Sequence, residues 1–77
     1  NRAVAVAMSS GPEQGLHELD SIAEDLDGYA WFHSTRGELL RRTGRHNEAI
    51  AAFRKAIALT NNSNALDFLH GRLAALT

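Results

Sequence analysis

The sequence resembles itself at a spacing of 34 residues. When it is shifted by 34 positions, small residues align with small ones and large apolar residues with large ones at most of the matched positions. These matches are Ala3 with Gly37 and Gly71, Gly15 with Ala49, Leu16 with Ile50, Leu19 with Phe53, Ile22 with Ala56, Phe32 with Leu66, and Leu39 with Leu73. Such a period is typical of stacked helix–turn–helix units, in which small residues allow paired helices to approach closely.

Apolar residues recur at helical spacing through nearly the whole chain, which predicts an all-α fold. We expect five helices, at residues 2–9, 12–26, 29–43, 47–60 and 64–76. Pro12 is expected to start the second helix and Asn64 to cap the last, with Asp67 in its first turn. Gly28 and Gly44 are expected to end the second and third helices, since glycine adopts the left-handed conformation at low cost.

The apolar side chains of these helices predict where the core lies. The positions expected to face inward are Leu16, Leu19, Ile22, Ala23 and Leu26 in the second helix and Ala49, Ile50, Phe53, Ala56, Ile57 and Leu59 in the fourth. The last helix is expected to continue through Phe68, Leu69 and Leu73.

Composition limits the class of protein. The 77 residues are 44% hydrophobic and 22% charged and contain no cysteine, which predicts one small domain over residues 1–77 and excludes disulfides and thiolate-bound zinc. The longest uninterrupted apolar run, residues 3–8, is far shorter than the roughly 20 residues that span a bilayer. The chain begins within a helical pattern and without methionine, so we expect a fragment of a longer protein. The lack of cysteine fits a reducing cytoplasm, where we expect that protein to act.

Charge is unevenly distributed along the chain. Residues 1–27 carry one arginine against six acidic residues, whereas residues 36–55 carry six basic residues against two glutamates. These two stretches either attract each other or form solvated faces, or the basic stretch receives an acidic partner. The net charge of −1 and the pI of 6.4 disfavour direct nucleic-acid binding.

No catalytic constellation is visible. The serines lack a nucleophile motif and there is no glycine-rich phosphate loop, so we expect a protein that is not an enzyme and needs no cofactor. The four histidines, His17, His33, His46 and His70, are never one helical turn apart, which argues against a metal site.

Three polar residues of the third helix have expected partners within the fold. The repeat register turns His33 and Arg36 toward neighbouring helices. A hydrogen-bonded core position is therefore expected for His33, and an ion pair with Asp20 or Glu24 for Arg36. Glu38 and Arg42 are one turn apart and are expected to pair.

Residues 30–63 resemble the tetratricopeptide consensus. The matching positions are Gly37, Leu40, Gly44, Glu48, Ala49, Ile50, Phe53, Lys55, Ala56 and Leu59. The sequence departs from the consensus at His33, Arg36 and Asn61. The resemblance implies antiparallel helix pairs in a right-handed superhelical array that acts in protein binding.

The inner wall of such an array is formed by one face of each first helix. Here it is expected to present Trp31, Ser34, Glu38, Arg41 and Arg42, joined by Val4 and Met8 from the first helix and by Phe68 and Arg72 from the last. An aromatic ring beside arginines suits a protein segment with apolar and acidic groups. The Lys and Asn pairs with which many tetratricopeptide domains bind C-terminal carboxylates are missing. Alternatively, Arg41, Arg42 and Arg45 are helix-end cations that favour the dipole at the C-terminal end, and Trp31 only seals the core.

The whole chain also resembles the C-terminal helical extension of a group of bacterial extracytoplasmic-function sigma factors of RNA polymerase. The residues responsible are 1–7, 11–13, 15–16, 38–42, 44–45 and 53–60. This resemblance implies a regulatory domain in transcription initiation, with the polymerase core, the protein's own sigma regions or a regulator as partner. DNA would then be contacted only through N-terminal regions outside these residues. The alternative is a tetratricopeptide scaffold unrelated to transcription.

The first helix is expected to expose alanine and valine side chains along one side. We therefore expect the isolated chain to self-associate as a dimer.

Overall fold

The computed structural model describes residues 11–77, and this part of the chain is helical apart from short connections. Its helices are α1 (Pro12–Ser21), α2 (Ala23–Leu26), α3 (Ala30–Arg42), α4 (His46–Leu59) and α5 (Ser63–Leu76). The bounds expected for the last three helices are confirmed to within one residue at each end. The helix expected at residues 2–9, with Val4 and Met8, lies outside the described residues.

The helix predicted over residues 12–26 is broken at Ile22. Pro12 starts α1 as expected, but Ile22 has φ −119° and ψ 11°, outside the α-helical range, so α1 and α2 are separate. The amide of Ile22 donates to the carbonyl oxygen of Leu19 at 3.1 Å, a three-residue spacing that tightens the end of α1. The break turns Ile22 out of the apolar stripe. It is 41% exposed, whereas Leu16 and Leu19 are buried.

The two glycines expected to end helices behave differently. Gly44 has φ 79°, as predicted, and the amide of Arg45 then donates to the carbonyl oxygen of Leu40 at 3.0 Å, which closes the end of α3. The helix before Gly28 ends at Leu26, as expected, but Gly28 does not adopt a positive φ, so the predicted left-handed conformation is wrong. The chain leaves α2 through Asp27 in the right-handed region, with φ −59° and ψ −25°, and no left-handed residue is needed.

The cap of α5 lies two residues before the predicted one. The side-chain Oδ1 of Asn62 accepts a hydrogen bond from the amide of Ala65 at 2.9 Å, so Asn62 and not Asn64 caps the helix. Helix α5 therefore begins at Ser63, and Asp67 lies beyond its first turn.

The core is centred on α3 and α4. Its buried apolar side chains are Leu16, Leu19, Phe32, Leu39, Leu40, Ala49, Ala52, Phe53, Ala56 and Leu69. At the centre, Gly37 of α3 lies against the ring of Phe53, and a Cβ at this glycine would be only 2.8 Å from Cε1 of that ring. The prediction for α4 is wrong at Leu59, which is exposed, and it omitted Ala52, which is buried. Leu59 is the last residue of α4.

The helices pack in chain order. Helix α1 lies against α3, α3 lies against α4 over the most extensive contact, and α4 lies against α5. Gly15 and Ala49, which are 34 residues apart, are both buried, as the repeat predicts. The pair Ile22 and Ala56 does not follow the prediction, because Ala56 is buried while the break turns Ile22 outward.

Candidate protein-binding surface

An open pocket of about 330 Å³ lies between α3 and α5. Its lining is mostly apolar and consists of Ala30, Trp31, Ser34, Thr60, Ala65, Phe68 and Leu69. Two pairs of these residues, Trp31 with Ala65 and Ser34 with Phe68, are 34 positions apart. The pocket is therefore formed by corresponding faces of two successive first helices.

Two exposed aromatic side chains line this pocket. Trp31 is 41% exposed and Phe68 is 50% exposed. The Trp31 ring also meets the buried Phe32 ring edge to face, with centroids 6.4 Å apart. Trp31 thus covers part of the core and still offers apolar surface to the pocket, so the two roles considered for it are compatible.

Ser34 contributes a hydroxyl group to the pocket. Its Oγ donates to the carbonyl oxygen of Trp31 at 3.1 Å, so its proton is used within α3. The hydroxyl oxygen keeps lone pairs that can accept a hydrogen bond from a ligand.

An ion cluster crosses the groove beside the pocket. Arg41 Nη2 donates to Glu38 Oε2 at 2.8 Å, and Arg72 Nε of α5 donates to Glu38 Oε1. The guanidinium carbon of Arg72 lies 5.0 Å from the centroid of the Phe68 ring, a cation–π distance. The predicted pair of Glu38 with Arg42 is wrong, because Arg72 reaches Glu38 from the neighbouring helix and Arg41 occupies its other oxygen. Arg42 lies exposed at the end of α3.

The electrostatics of the cluster keep Glu38 ionised. Burial raises the pKa of Glu38, but hydrogen bonds from Arg41 and Arg72 and their positive charges outweigh burial, so the pKa lies below its usual value. The hydrogen bond and the charge of Glu38 in turn raise the pKa of Arg41. Two arginines and one glutamate leave this part of the groove with one net positive charge at neutral pH.

Two other predicted interactions support the fold beside the groove. His33 is 8% exposed and its Nε2 donates to the carbonyl oxygen of Asp27 at 2.7 Å, which confirms the expected core histidine. Arg36 Nε donates to Asp20 Oδ1 at 3.1 Å, which confirms one of its two expected partners. These bonds tie α3 to the α1–α2 side of the domain.

Sequence reasoning did not assign Ala30, Thr60, Ala65 and Leu69 to the binding surface. It also missed the bond from Arg72 to Glu38, although the signal was present. These residues are 34 positions apart and carry opposite charges, so the repeat places them on adjacent first helices. Among residues 11–77, no three histidine or carboxylate side chains are grouped as metal ligands, and no helix is long and apolar enough to cross a membrane.

Comparison with known proteins agrees with this geometry. A tetratricopeptide repeat matches residues 30–63. That range contains α3, α4 and the turn between them, so the fold is an all-α array of tetratricopeptide-like helix pairs, with α3 and α4 as a complete pair.

The chain is also similar to a protein of Rhizobium meliloti that is described only as uncharacterized. The two are 42% identical over 73 residues, which cover 95% of this chain. The chain spans only 17% of the length of that relative. No solved structure matches the chain.

Proposed function

We propose that this chain binds a segment of a protein in the groove between α3 and α5. The observation that carries the proposal is the pairing of Trp31 and Phe68, two half-exposed aromatic side chains at the mouth of one apolar pocket. Exposed aromatic side chains around a concave apolar site are typical of protein-binding hot spots. Tetratricopeptide repeats are protein-interaction scaffolds, which supports the same class of function.

The charges beside the pocket define the ligand more closely. Arg41 and Arg72 are both bound to Glu38, and their side chains are 32% and 38% exposed, so one uncompensated positive charge faces the groove. We infer a segment with a large apolar side chain for the pocket and an acidic residue nearby for the arginines. The groove is not suited to a tail with several carboxylates, because Glu38 already neutralises one of the two arginines.

Synthetic peptides test this groove directly. Peptides with one leucine or phenylalanine, followed by aspartate or by lysine, are titrated against the chain while Trp31 fluorescence is followed. We expect the aspartate peptides to bind more tightly, and Phe68→Ala to lower their affinity by about tenfold. Tyr29→Ala is the matched control, because Tyr29 is 55% exposed and lies outside the pocket lining. Equal losses for Phe68→Ala and Tyr29→Ala would contradict the proposal.

A narrower proposal concerns the longer protein. We propose that the chain is the C-terminal regulatory domain of an extracytoplasmic-function sigma factor and acts in the cytoplasm on the polymerase core or on the attached sigma regions. Support comes from the sequence resemblance alone. A tetratricopeptide scaffold outside transcription is the alternative, and the match over residues 30–63 favours both equally.

Titration of core RNA polymerase and of the sigma regions with wild type, Trp31→Ala and Arg42→Glu variants tests the narrower proposal. Binding that weakens in either folded variant would support it. Absence of binding to both components, with the peptide titration still positive, would leave the groove function intact and overturn the sigma-factor assignment.

A further inference from the structure

Glu38 binds two arginines, but these arginines are not equivalent. Arg41 lies one turn from Glu38 in α3 and donates to it from Nη2, and its Nε is buried without a hydrogen-bond partner among residues 11–77. Arg72 donates to Glu38 from Nε alone. The terminal nitrogens of Arg72, Nη1 and Nη2, make no hydrogen bond within the same range of residues. Arg72 is therefore the arginine of the cluster that keeps a complete pair of terminal donors for a ligand.

The position of Arg72 connects the ion cluster to the apolar pocket. Its guanidinium carbon lies 5.0 Å from the centroid of the Phe68 ring, and Phe68 lines the pocket. Arg41 lies against neither pocket aromatic at such a distance in the described part of the chain. Glu38 and the Phe68 ring thus hold the Arg72 guanidinium beside the pocket before a ligand binds, which lowers the cost of ordering it.

We propose that Arg72, and not Arg41, determines the preference of the groove for an acidic residue. This inference rests on the proposed binding of a protein segment in the groove. The terminal nitrogens of a guanidinium form two parallel hydrogen bonds with one carboxylate, a geometry that the single ammonium group of lysine does not provide. The ligand is therefore a segment with one aspartate or glutamate, held by Nη1 and Nη2 of Arg72, and one large apolar side chain in the pocket.

The contact between Arg72 and Phe68 also limits how far apart the two ligand groups lie. A carboxylate oxygen bound to Arg72 is about 3 Å beyond the donor nitrogen, and the guanidinium already lies against the ring that lines the pocket. An extended segment advances about 3.3–3.6 Å per residue. We therefore expect the acidic residue within about three positions of the apolar one, and we expect peptides with longer spacing to lose the preference for the acid.

A pair of peptides of nearly equal shape tests the assignment. Both contain one leucine, followed two positions later by aspartate or by asparagine, and both are titrated while Trp31 fluorescence is followed. We expect Arg72→Gln to weaken the aspartate peptide by about tenfold and the asparagine peptide by less than about twofold. Arg41→Gln is the matched control, because it also removes one positive charge and one bond to Glu38. It is expected to weaken the aspartate peptide by about twofold at most.

Arg72→Lys tests the paired geometry separately from the charge. It is expected to weaken the aspartate peptide by at least about threefold, although the positive charge is kept. Full affinity in this variant, or equal losses in Arg72→Gln and Arg41→Gln, would overturn the proposal.

Phe68→Ala separates this inference from the proposed function of the groove. If Phe68→Ala weakens both peptides while the two arginine-to-glutamine variants do not differ, the groove function stands and the role of Arg72 is rejected. If Phe68→Ala changes the affinity of neither peptide, the groove function is rejected together with the role of Arg72. A loss for both peptides in Phe68→Ala, with a loss confined to the aspartate peptide in Arg72→Gln, supports both.

Discussion

Helices α3 and α5 correspond to each other by the 34-residue spacing, but α3 is packed between α1 and α4 whereas α5 is packed on one side. Helix α3 supplies five buried residues and α5 supplies one, Leu69. The same type of helix is therefore a core element at α3 and largely exposed at α5. Phe68 and Gly71 are both exposed on α5, and the proposed binding groove depends on the exposure of Phe68.

The largest difference in stability is expected between alanine variants of Phe53, in the α3–α4 contact, and of Phe68, on α5. Phe53→Ala removes a fully buried ring from the α3–α4 contact and should cost about 3–5 kcal/mol, enough to unfold a domain of this size. Phe68→Ala removes a half-exposed ring and should change stability by about 0.5 kcal/mol. Urea denaturation of both variants measures the difference, and similar losses would mean that α5 is buried as deeply as α3.

Substitution by alanine should change the stability in opposite directions at Gly37 and Gly71. Gly37→Ala places a methyl group against the buried Phe53 ring, and overpacking of about 1–3 kcal/mol should exceed the gain in helix propensity. Gly71→Ala meets no neighbouring atom and should stabilise the chain by about 0.5–1 kcal/mol. Thermal unfolding followed by circular dichroism measures both. Destabilisation by Gly71→Ala would show that another part of the chain covers Gly71.

The cap of α5 offers a smaller test of how its first turn is held. Asn62→Ala removes the side-chain acceptor of the Ala65 amide and should cost about 1 kcal/mol. Asn64→Ala lies inside the helix and should be neutral or slightly stabilising, because alanine has the higher helix propensity. Paired denaturation curves of the two variants distinguish the positions, and a larger loss for Asn64→Ala would restore the cap that the sequence predicted.

The ion cluster between α3 and α5 should give the smallest effect. The pKa of Glu38 is lowered in the folded chain, so its pairs stabilise the fold above the ordinary glutamate pKa of 4.5, and this stabilisation is lost as pH falls through the folded pKa. Partly exposed pairs contribute up to about 1 kcal/mol each. Glu38→Gln should therefore lower stability at pH 7, and its effect should shrink as pH falls below 4.5. An effect that does not shrink as Glu38 becomes protonated would contradict the role of the charge.

The sequence predicted the bounds of α3 and α4 better than the cap of α5 and the break at Ile22. The bounds of α3 and α4 follow from local signals, since Gly44 ends one helix and the apolar spacing defines the other. Three neighbouring polar residues, Asn62, Ser63 and Asn64, can each cap a helix, so the pattern does not determine which one does. The break at Ile22 has no signal in residue type, because isoleucine fits the helical stripe on which it was placed.

The candidate site was predicted in part. Trp31 and Ser34 follow from the register of α3, and the structure brings both to the pocket. The partner of Glu38 depends on how closely α5 approaches α3, which local spacing does not define, so the neighbouring turn of α3 gave the wrong arginine. The pocket is likewise lined by residues of both helices, such as Ala30 of α3 and Ala65 of α5, and cannot be derived from one helix.

Helices α3 and α5 correspond in the repeat, but Gly37 of α3 is covered by Phe53 and Gly71 of α5 is not covered. Nuclear Overhauser contacts of Gly37 and Gly71 in the monomeric chain test this difference most directly. We predict strong contacts between the Gly37 Hα protons and the ring protons of Phe53. For Gly71 we predict contacts only within its own helix. Contacts of Gly71 with an aromatic ring outside α5, or no contact between Gly37 and Phe53, would contradict the account.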